Sequence, residues 1–424
     1  MRSETIGKEL FILNRQRLIK EMKPASLALF NSNDIMPTNA DGTMPFKQNT
    51  DLFYLTGIDQ EESILVVCPN FPEERYREVL FVREPNELLE KWEGHKLTKK
   101  EAQDISGVKT IAWVGDFPKL FHHMMAMGNV ENVYLNTNEH YRSEVVVETR
   151  DARFIEWCKA KYPLHQYSRV APIMSKLRRI KQKREIELMQ HACDITEKGF
   201  RRVLGFVKPG VWEYEIEAEF IHEFISNRSK GFAYTPIIAS GASNVILHYI
   251  ENNRQCKSGE LILLDVAAEY ANYASDLTRT IPVSGRYTKR QKEVYNAVLR
   301  IHREAFKILR PSVVYFEFQK EIEKLMQSEL IKLKLIDKKD GPEAFRKYFY
   351  HGTSHMLGLD VHDVGNMHDK VQIGSVWTIE PGIYIAEEGF GIRIENNVII
   401  QKDKNFDLMR NIPIEADEIE ELMK

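Results

Sequence analysis

Apolar residues follow two different rhythms along this chain. Through roughly the first 170 residues, short runs rich in β-branched and aromatic side chains (SLALFNS from Ser26, SILVVCP from Ser63, EVLFVRE from Glu78, ENVYLNT from Glu131) alternate with polar, helix-compatible stretches. That alternation predicts a compact α/β domain over residues 1–173. The basic stretch SKLRRIKQKREIELMQ follows and reads as the solvated face opening a long helix. From there Ile186, Met189, Cys193, Phe200 and Val203 fall at helical spacing across 183–206, and a second helix over 212–228 follows the turn signal KPG. Next come SGASNVILHY, which places His248 in an apolar strand, and LLDVAAEYANYASDLTRT, carrying Asp265 and Asp276. Beyond Ser284-Gly285, Thr288 and Gln291 have the spacing of a capping box, opening a helix with Val294, Val298, Ile301 and Phe306 on one stripe. Another helix is expected after Pro311, then HGTSHMLGLDVHD and WTIEPGIYIAEEGFGIRIENNVII. Residues 174–424 therefore repeat one scheme: helix, helix, histidine segment, acidic strand pair. A duplicated unit of this kind would bring two histidine segments and two acidic hairpins together at a pseudo-twofold interface.

Composition narrows the partners. The 424 residues are 43% hydrophobic and 29% charged, ordinary for a globular chain with a large core. With 59 basic against 62 acidic residues, the formal charge of -3 offers no electrostatic reason for a nucleic acid or an anionic membrane as partner. The opening MRSETIGKELFILNRQRL lacks the apolar core of a signal peptide, and no run reaches the length of a membrane span, so a cytoplasmic protein is expected. Cys68, Cys158, Cys193 and Cys256 are far apart without C-x-x-C spacing, which points to buried free thiols.

The chemistry lies in the acidic hairpins. If 263–280 folds back around Tyr270 and Ala271, Asp265 stands opposite Asp276, with Cβ atoms roughly 5 Å apart. Glu380 and Glu395 pair in the same way about Glu387-Glu388, beside Gly389 and Gly391. Paired like charges must share a proton or hold a cation. Four carboxylates with a histidine suit a hard or borderline divalent ion such as manganese better than structural zinc, and four acids can neutralise two ions. Two metals about 3.5 Å apart lower the pKa of a water held between them from about 16 towards 7, which implies hydrolysis by a bridging hydroxide. His351 and His355 have the i, i+4 spacing of a helical zinc pair, but the glycines and alternating apolar residues around them favour an extended segment, so only His355 is assigned to metal.

The segments LHY, DVAAEYANYASDLTRT, HGTSHMLGLDVHDVG, IEPGIYI and GIRIEN resemble the motifs of the pita-bread metallopeptidases, and among them the aminopeptidase P family; PFKQNTDLFYLTG is similar to that family's amino-terminal domain. The resemblance implies a dinuclear manganese enzyme, a homodimer or homotetramer, that releases the residue preceding a proline in the second position. The implied metal ligands are Asp265, Asp276, His355, Glu380 and Glu395, with Asp276 and Glu395 bridging both ions. Glu380 would also carry a proton to the leaving amine, His248 would contact substrate, and His362 would donate to the scissile carbonyl or the oxyanion. His351, Tyr384 and Arg393 are candidates for the proline pocket, with support of the ligands as the alternative for the last two. A proline-directed site makes physical sense, because the Xaa-Pro amide has no N–H and a fixed φ, which defeats peptidases that need either. Four positions depart from the family's usual residues: Lys47 for Arg, Leu52-Phe53 for a Phe-Trp pair, and Asn396 for Asp. Prolidase, which cleaves Xaa-Pro dipeptides with the same ligands, is the nearest rival. An inactive peptide- or histone-binding module of the same fold is a further reading, opposed by the complete ligand set. The large amino-terminal domain disfavours methionine aminopeptidase, and the intact metal set disfavours creatinase.

Overall fold

In the computed structural model, which describes residues 3–127, 129–137, 139–140 and 144–424, the four apolar runs of the first part are strands. They are β1 (Ser26–Asn31), β2 (Ile64–Val67), β3 (Glu78–Val82) and β5 (Asn132–Leu135), completed by β4 (Thr110–Trp113) and β6 (Gln166–Arg169). The last two, TIAW and QYSR, are the edge strands and are only partly buried, and QYSR carries no apolar run. The sheet order is β4-β3-β2-β1-β5-β6. β1 pairs antiparallel with β2, as β2 does with β3, and the outer pairings are parallel. Every residue of β1 and β2 is buried, as expected for central strands covered on both faces. Leu27, Leu29, Val66, Phe81 and Phe121 sit in this core, each buried apolar side chain contributing about 1.5–3 kcal/mol.

The chain divides into two compact units, Ser3–Arg178 and Arg179–Lys424. The second carries the repeated scheme. Helices Lys183–Leu204 and Glu213–Ser226 precede β7 (Ile237–Ser240), β8 (Leu261–Asp265), β9 (Glu269–Tyr270), β10 (Tyr273–Ala274) and β11 (Thr278–Pro282). Helices Lys289–Ile308 and Tyr315–Lys332 then precede β12 (Val376–Ile379), β13 (Gly382–Ile385), β14 (Phe390–Arg393), β15 (Asn396–Ile399) and β16 (Phe406–Asp407). The capping box is present: Thr288 Oγ1 accepts from Gln291 N at 3.2 Å and Gln291 Oε1 accepts from Thr288 N at 2.8 Å. Val294, Val298 and Ile301 are buried on that helix, and Phe306 is half-buried. The segment around His351 and His355 is not helical, and Met356 bridges to Trp377 of β12. All four cysteines are buried and free.

The two acidic hairpins are stitched together. Thr278 at the start of β11 bridges to Glu395, whose N–H donates to Thr278 O at 3.0 Å, and Arg393 N donates to Thr280 Oγ1 at 3.1 Å. In the second hairpin Ile379–Asn396 and Gly382–Arg393 are partners, so Glu380 stands opposite Glu395 as the fold-back about 387–388 requires. The first hairpin differs. Its turn is Ala271-Asn272, both at positive φ (53° and 68°), with Tyr270 facing Tyr273. This is the two-residue geometry that suits the twist of a hairpin, and asparagine tolerates it. Moving the turn by one residue shifts every partner by two, so Asp265 pairs with Thr278, while Asp276 lies between β10 and β11.

Two further expectations are corrected. The basic stretch is neither wholly solvated nor one helix: Ala171–Arg179 and Lys183–Leu204 are separate helices, and Arg178, Arg179 and Lys181 are buried. Each has an acidic partner, Asp51 for Arg178, Asp369 for Arg179 and Asp363 for Lys181, because a buried cation needs a counter-charge. His248, expected on an apolar strand, is exposed in a turn after the short helix Gly241–Val245. Its neighbours Ile246 and Ile250 are also exposed, so the apolar run does not mark a buried strand there.

Candidate metal centre

Each acidic side chain is delivered by the end of a strand or by a segment beside one. β8 is a buried run, LILL, paired on both edges, and Asp265 is its last residue. Tyr234 Oη donates to Asp265 Oδ1 at 2.6 Å, and Arg393 Nη2 donates to Oδ2. The backbone of Asp276 is clamped by the Asn397 side chain: its N–H donates to Asn397 Oδ1 at 3.0 Å and its carbonyl accepts from Nδ2 at 2.7 Å. Glu395 Oε2 accepts from Thr278 Oγ1 at 2.7 Å. Its other oxygen, Oε1, is buried with no hydrogen-bond partner among the described residues.

His355 is held by Thr378 of β12, its N–H donating to Thr378 Oγ1 at 3.1 Å and its carbonyl accepting from Thr378 N at 2.9 Å. Its Nδ1 lies 3.0 Å from Met356 O. A carbonyl only accepts, so Nδ1 carries a proton and Nε2 is the atom turned to the acids, 3.4 Å from Asp276 Oδ2 and 3.6 Å from Glu380 Oε1. Ligand atoms of Asp276, His355 and Glu395, all buried, lie within 4.8 Å of one another.

Burial, reinforced by the neighbouring acids, raises the carboxyl pKa values of Asp265, Glu380 and Glu395, that of Glu380 to about 7. Burial opposes a charged His355, but Asp276 and Glu380 outweigh it and raise its pKa. The cluster thus takes up positive charge, as protons or as a cation. An orphaned buried carboxylate oxygen, an imidazole Nε2 aimed at two acids and an all-oxygen remainder fit a divalent metal ion.

These four groups bind protons more tightly folded than unfolded. Each therefore stabilises the metal-free protein fully below its unfolded-state pKa, and that contribution is lost as pH rises through the folded value. For Glu380 the window runs from about 4.5 to about 7. The difference in Tm between metal-loaded and chelated protein is expected to widen as pH rises across that window, since metal and protons compete for the same oxygens. A gap in scanning calorimetry that narrows over the same range would contradict this.

A second set of groups lies behind the acids. His351 Nδ1 donates to Gly352 O at 2.8 Å, so its Nε2 accepts from Tyr384 Oη at 2.8 Å. Tyr384 Oη in turn accepts from Arg393 Nη1 at 2.9 Å, and Arg393 Nε donates to Thr278 Oγ1 at 3.1 Å. Burial and the Arg393 charge push His351 down to about 3, which keeps it neutral. Tyr384 and Arg393 are buried and bonded toward Asp265, the arrangement of residues that support a ligand. His362 is exposed, with its ring centroid 4.1 Å from that of His355. His248 is near enough for its charge to add to the downward shift of His351.

Sequence reasoning missed Tyr234, Thr278, Asn397 and Glu213. The Glu213 carboxylate is fully buried and accepts from Ser240 N (2.7 Å), Ser240 Oγ (2.7 Å), Tyr249 Oη (2.8 Å) and Arg254 N (2.9 Å), fastening both ends of the segment that bears His248. Nothing in the helical pattern around Glu213 distinguishes it from a surface glutamate. Asn396, one of the departures, accepts from buried Arg279 at 2.7 Å and donates to Asp407 Oδ2 at 2.6 Å, so an amide serves there as both acceptor and donor.

Residues 187–402 match metallopeptidase family M24, and residues 11–134 match the aminopeptidase P N-terminal domain. The chain belongs to that metallopeptidase family, its second unit has the pita-bread fold, and it is a metal-dependent aminopeptidase, a hydrolase. It is similar to the Xaa-Pro aminopeptidase of Escherichia coli (strain K12), 32% identical over 99% of this chain and 98% of that protein. Among solved structures it is similar to Pseudomonas aeruginosa aminopeptidase PepP, with 28% identity over 98% of each chain and a TM-score of 0.89. It is also similar to zinc-substituted E. coli aminopeptidase P in complex with product, with 31% identity over 99% of each chain and a TM-score of 0.86. These likenesses do not favour the prolidase alternative. No helix among the described residues is long and apolar enough to cross a membrane.

Proposed function

We propose that this chain releases the N-terminal residue from peptides with proline in the second position, using two manganese ions. The observation that carries the metal assignment is the buried, unpartnered Oε1 of Glu395 beside Asp276 and His355. Asp265, Asp276, His355, Glu380 and Glu395 would hold the ions. When bound, the ions supply an activated water nucleophile and polarise the scissile carbonyl.

The remaining work falls to the chain. Glu380, placed beside the ions, would pass a proton to the leaving amine, as the resemblance implies. His362 donates to the oxygen of the scissile carbonyl as charge develops there, and His248 contacts the substrate. Neutral His351 lines the proline pocket, with Tyr384 and Arg393 behind it as support for His351 and Asp265. The division of labour follows the expected domains, a non-catalytic 1–173 and a catalytic 174–424. Buried free cysteines suit a reducing cytoplasm, and the charge balance suits peptides rather than nucleic acid or membrane as partners. The working form is a homodimer or homotetramer, as the resemblance implies.

Substrate length and metal test this reading. Purified enzyme treated with a chelator should lose activity and recover best with manganese. The tripeptide Xaa-Pro-Xaa should be cleaved with higher kcat/KM than the matching dipeptide, because contacts to the third residue help hold the scissile carbonyl in place. Strong preference for dipeptides would replace this reading with prolidase; full activity in verified metal-free enzyme would end it.

A further inference from the structure

The basic stretch that opens the second unit contains one residue wired to the site. Lys181 lies in the break between helices Ala171–Arg179 and Lys183–Leu204, where its N–H donates to Gly374 O at 3.0 Å. Its Nζ donates to Asp363 Oδ2 at 2.8 Å, and both side chains are only 1% exposed. Asp363 follows His362 directly. Its N–H donates to Met356 O at 2.9 Å, and its Oδ1 accepts from Val364 N at 2.9 Å. Met356 O is the same carbonyl that accepts from His355 Nδ1. One carbonyl therefore ties a metal-ligand candidate to the residue next to His362. The loop closes tightly on the ion pair: a Cβ at Gly358 would fall 2.1 Å from Asp363 Oδ2 and 3.0 Å from Lys181 Cε.

We propose that Lys181, through its buried ion pair with Asp363, is a positioning residue that holds His362 against the metal centre. The proposal rests on the peptidase reading, in which His362 donates to the developing oxyanion. Burying two charges costs desolvation that their attraction barely offsets, and an apolar pair of similar volume would serve stability as well. What the charged pair adds is direction: an ammonium at 2.8 Å fixes the Asp363 carboxylate, and so the backbone of its neighbour. His362 is itself exposed, so small movements of that backbone carry its ring away from the position where the oxyanion forms.

The test is a kinetic double-mutant cycle on the metal-loaded enzyme with an Xaa-Pro-Xaa tripeptide. Lys181→Met is expected to lower kcat by about tenfold to a hundredfold, as a misplaced catalytic group does. KM should stay within about threefold, and metal content by mass spectrometry should be unchanged. Added to His362→Ala, the same substitution should cost almost nothing further, since nothing remains to be positioned. If folded Lys181→Met keeps wild-type kcat, or if its loss multiplies fully with that of His362→Ala, the proposal is overturned. Should Lys181→Met fail to fold, Lys181→Met/Asp363→Asn, which leaves no unpaired buried charge, is read by the same criteria. An unimpaired His362→Ala would instead remove the role given to His362, and the positioning role with it. An impaired His362→Ala beside an unimpaired Lys181→Met removes the positioning role alone.

Discussion

Replacing Asp276 with Asn is expected to lower kcat by about a thousandfold, with bound metal lost in parallel and the fold retained. The shape of the residue survives the change, and its backbone stays clamped by Asn397. What disappears is an anion proposed to hold the ions, on the carboxylate whose Oδ2 lies 3.4 Å from His355 Nε2. An ion held by one fewer charge binds more weakly, and several kcal/mol of transition-state stabilisation go with it, each 1.36 kcal/mol being about tenfold in rate. Metal content, circular dichroism and steady-state kinetics on one preparation decide the matter. Unchanged metal and rate would show that this hairpin does not hold the ions.

Arg393→Met is expected to destabilise the metal-free protein by about 3–5 kcal/mol, the cost of removing one partner from a buried ion pair. The guanidinium bonds Asp265, Tyr384 and Thr278 together and is itself buried. Without it, the Asp265 carboxylate faces Asp276 with its main counter-charge gone, and Tyr384 loses the donor that orients its hydroxyl toward His351. Bound metal supplies a replacement charge, so the loss should be smaller in the loaded protein. Urea unfolding with and without metal measures both. Equal losses in the two states, or a loss below about 1 kcal/mol in the metal-free state, would mean that Arg393 does not serve as the counter-charge of Asp265. Lysine should not substitute for it, because a point charge cannot reach three partners in a plane.

Much of this is legible in the sequence. Runs of buried β-branched and aromatic residues announced four of the six strands in the first sheet, because central strands covered on both faces must be apolar throughout. The second hairpin could be registered from its acids, since Gly389, in the left-handed region at φ 72°, marks the turn unambiguously. The first could not. Ala271-Asn272 carries no glycine, and the turn moved by one residue.

The linear chain by itself determined the repeated scheme, the acids and histidines that carry the chemistry, and the family motifs that order them, because periodicity and residue type are local properties of sequence. Only the tertiary structure decided which atoms face each other. Arg393 turns to Asp265, Glu213 fastens the segment of His248, and Lys181 is buried against Asp363 rather than solvated. Pairings of this kind join residues far apart in the chain. Each is selected by the cost of burying a lone charge, a penalty that exists only once the surrounding elements have packed and excluded water.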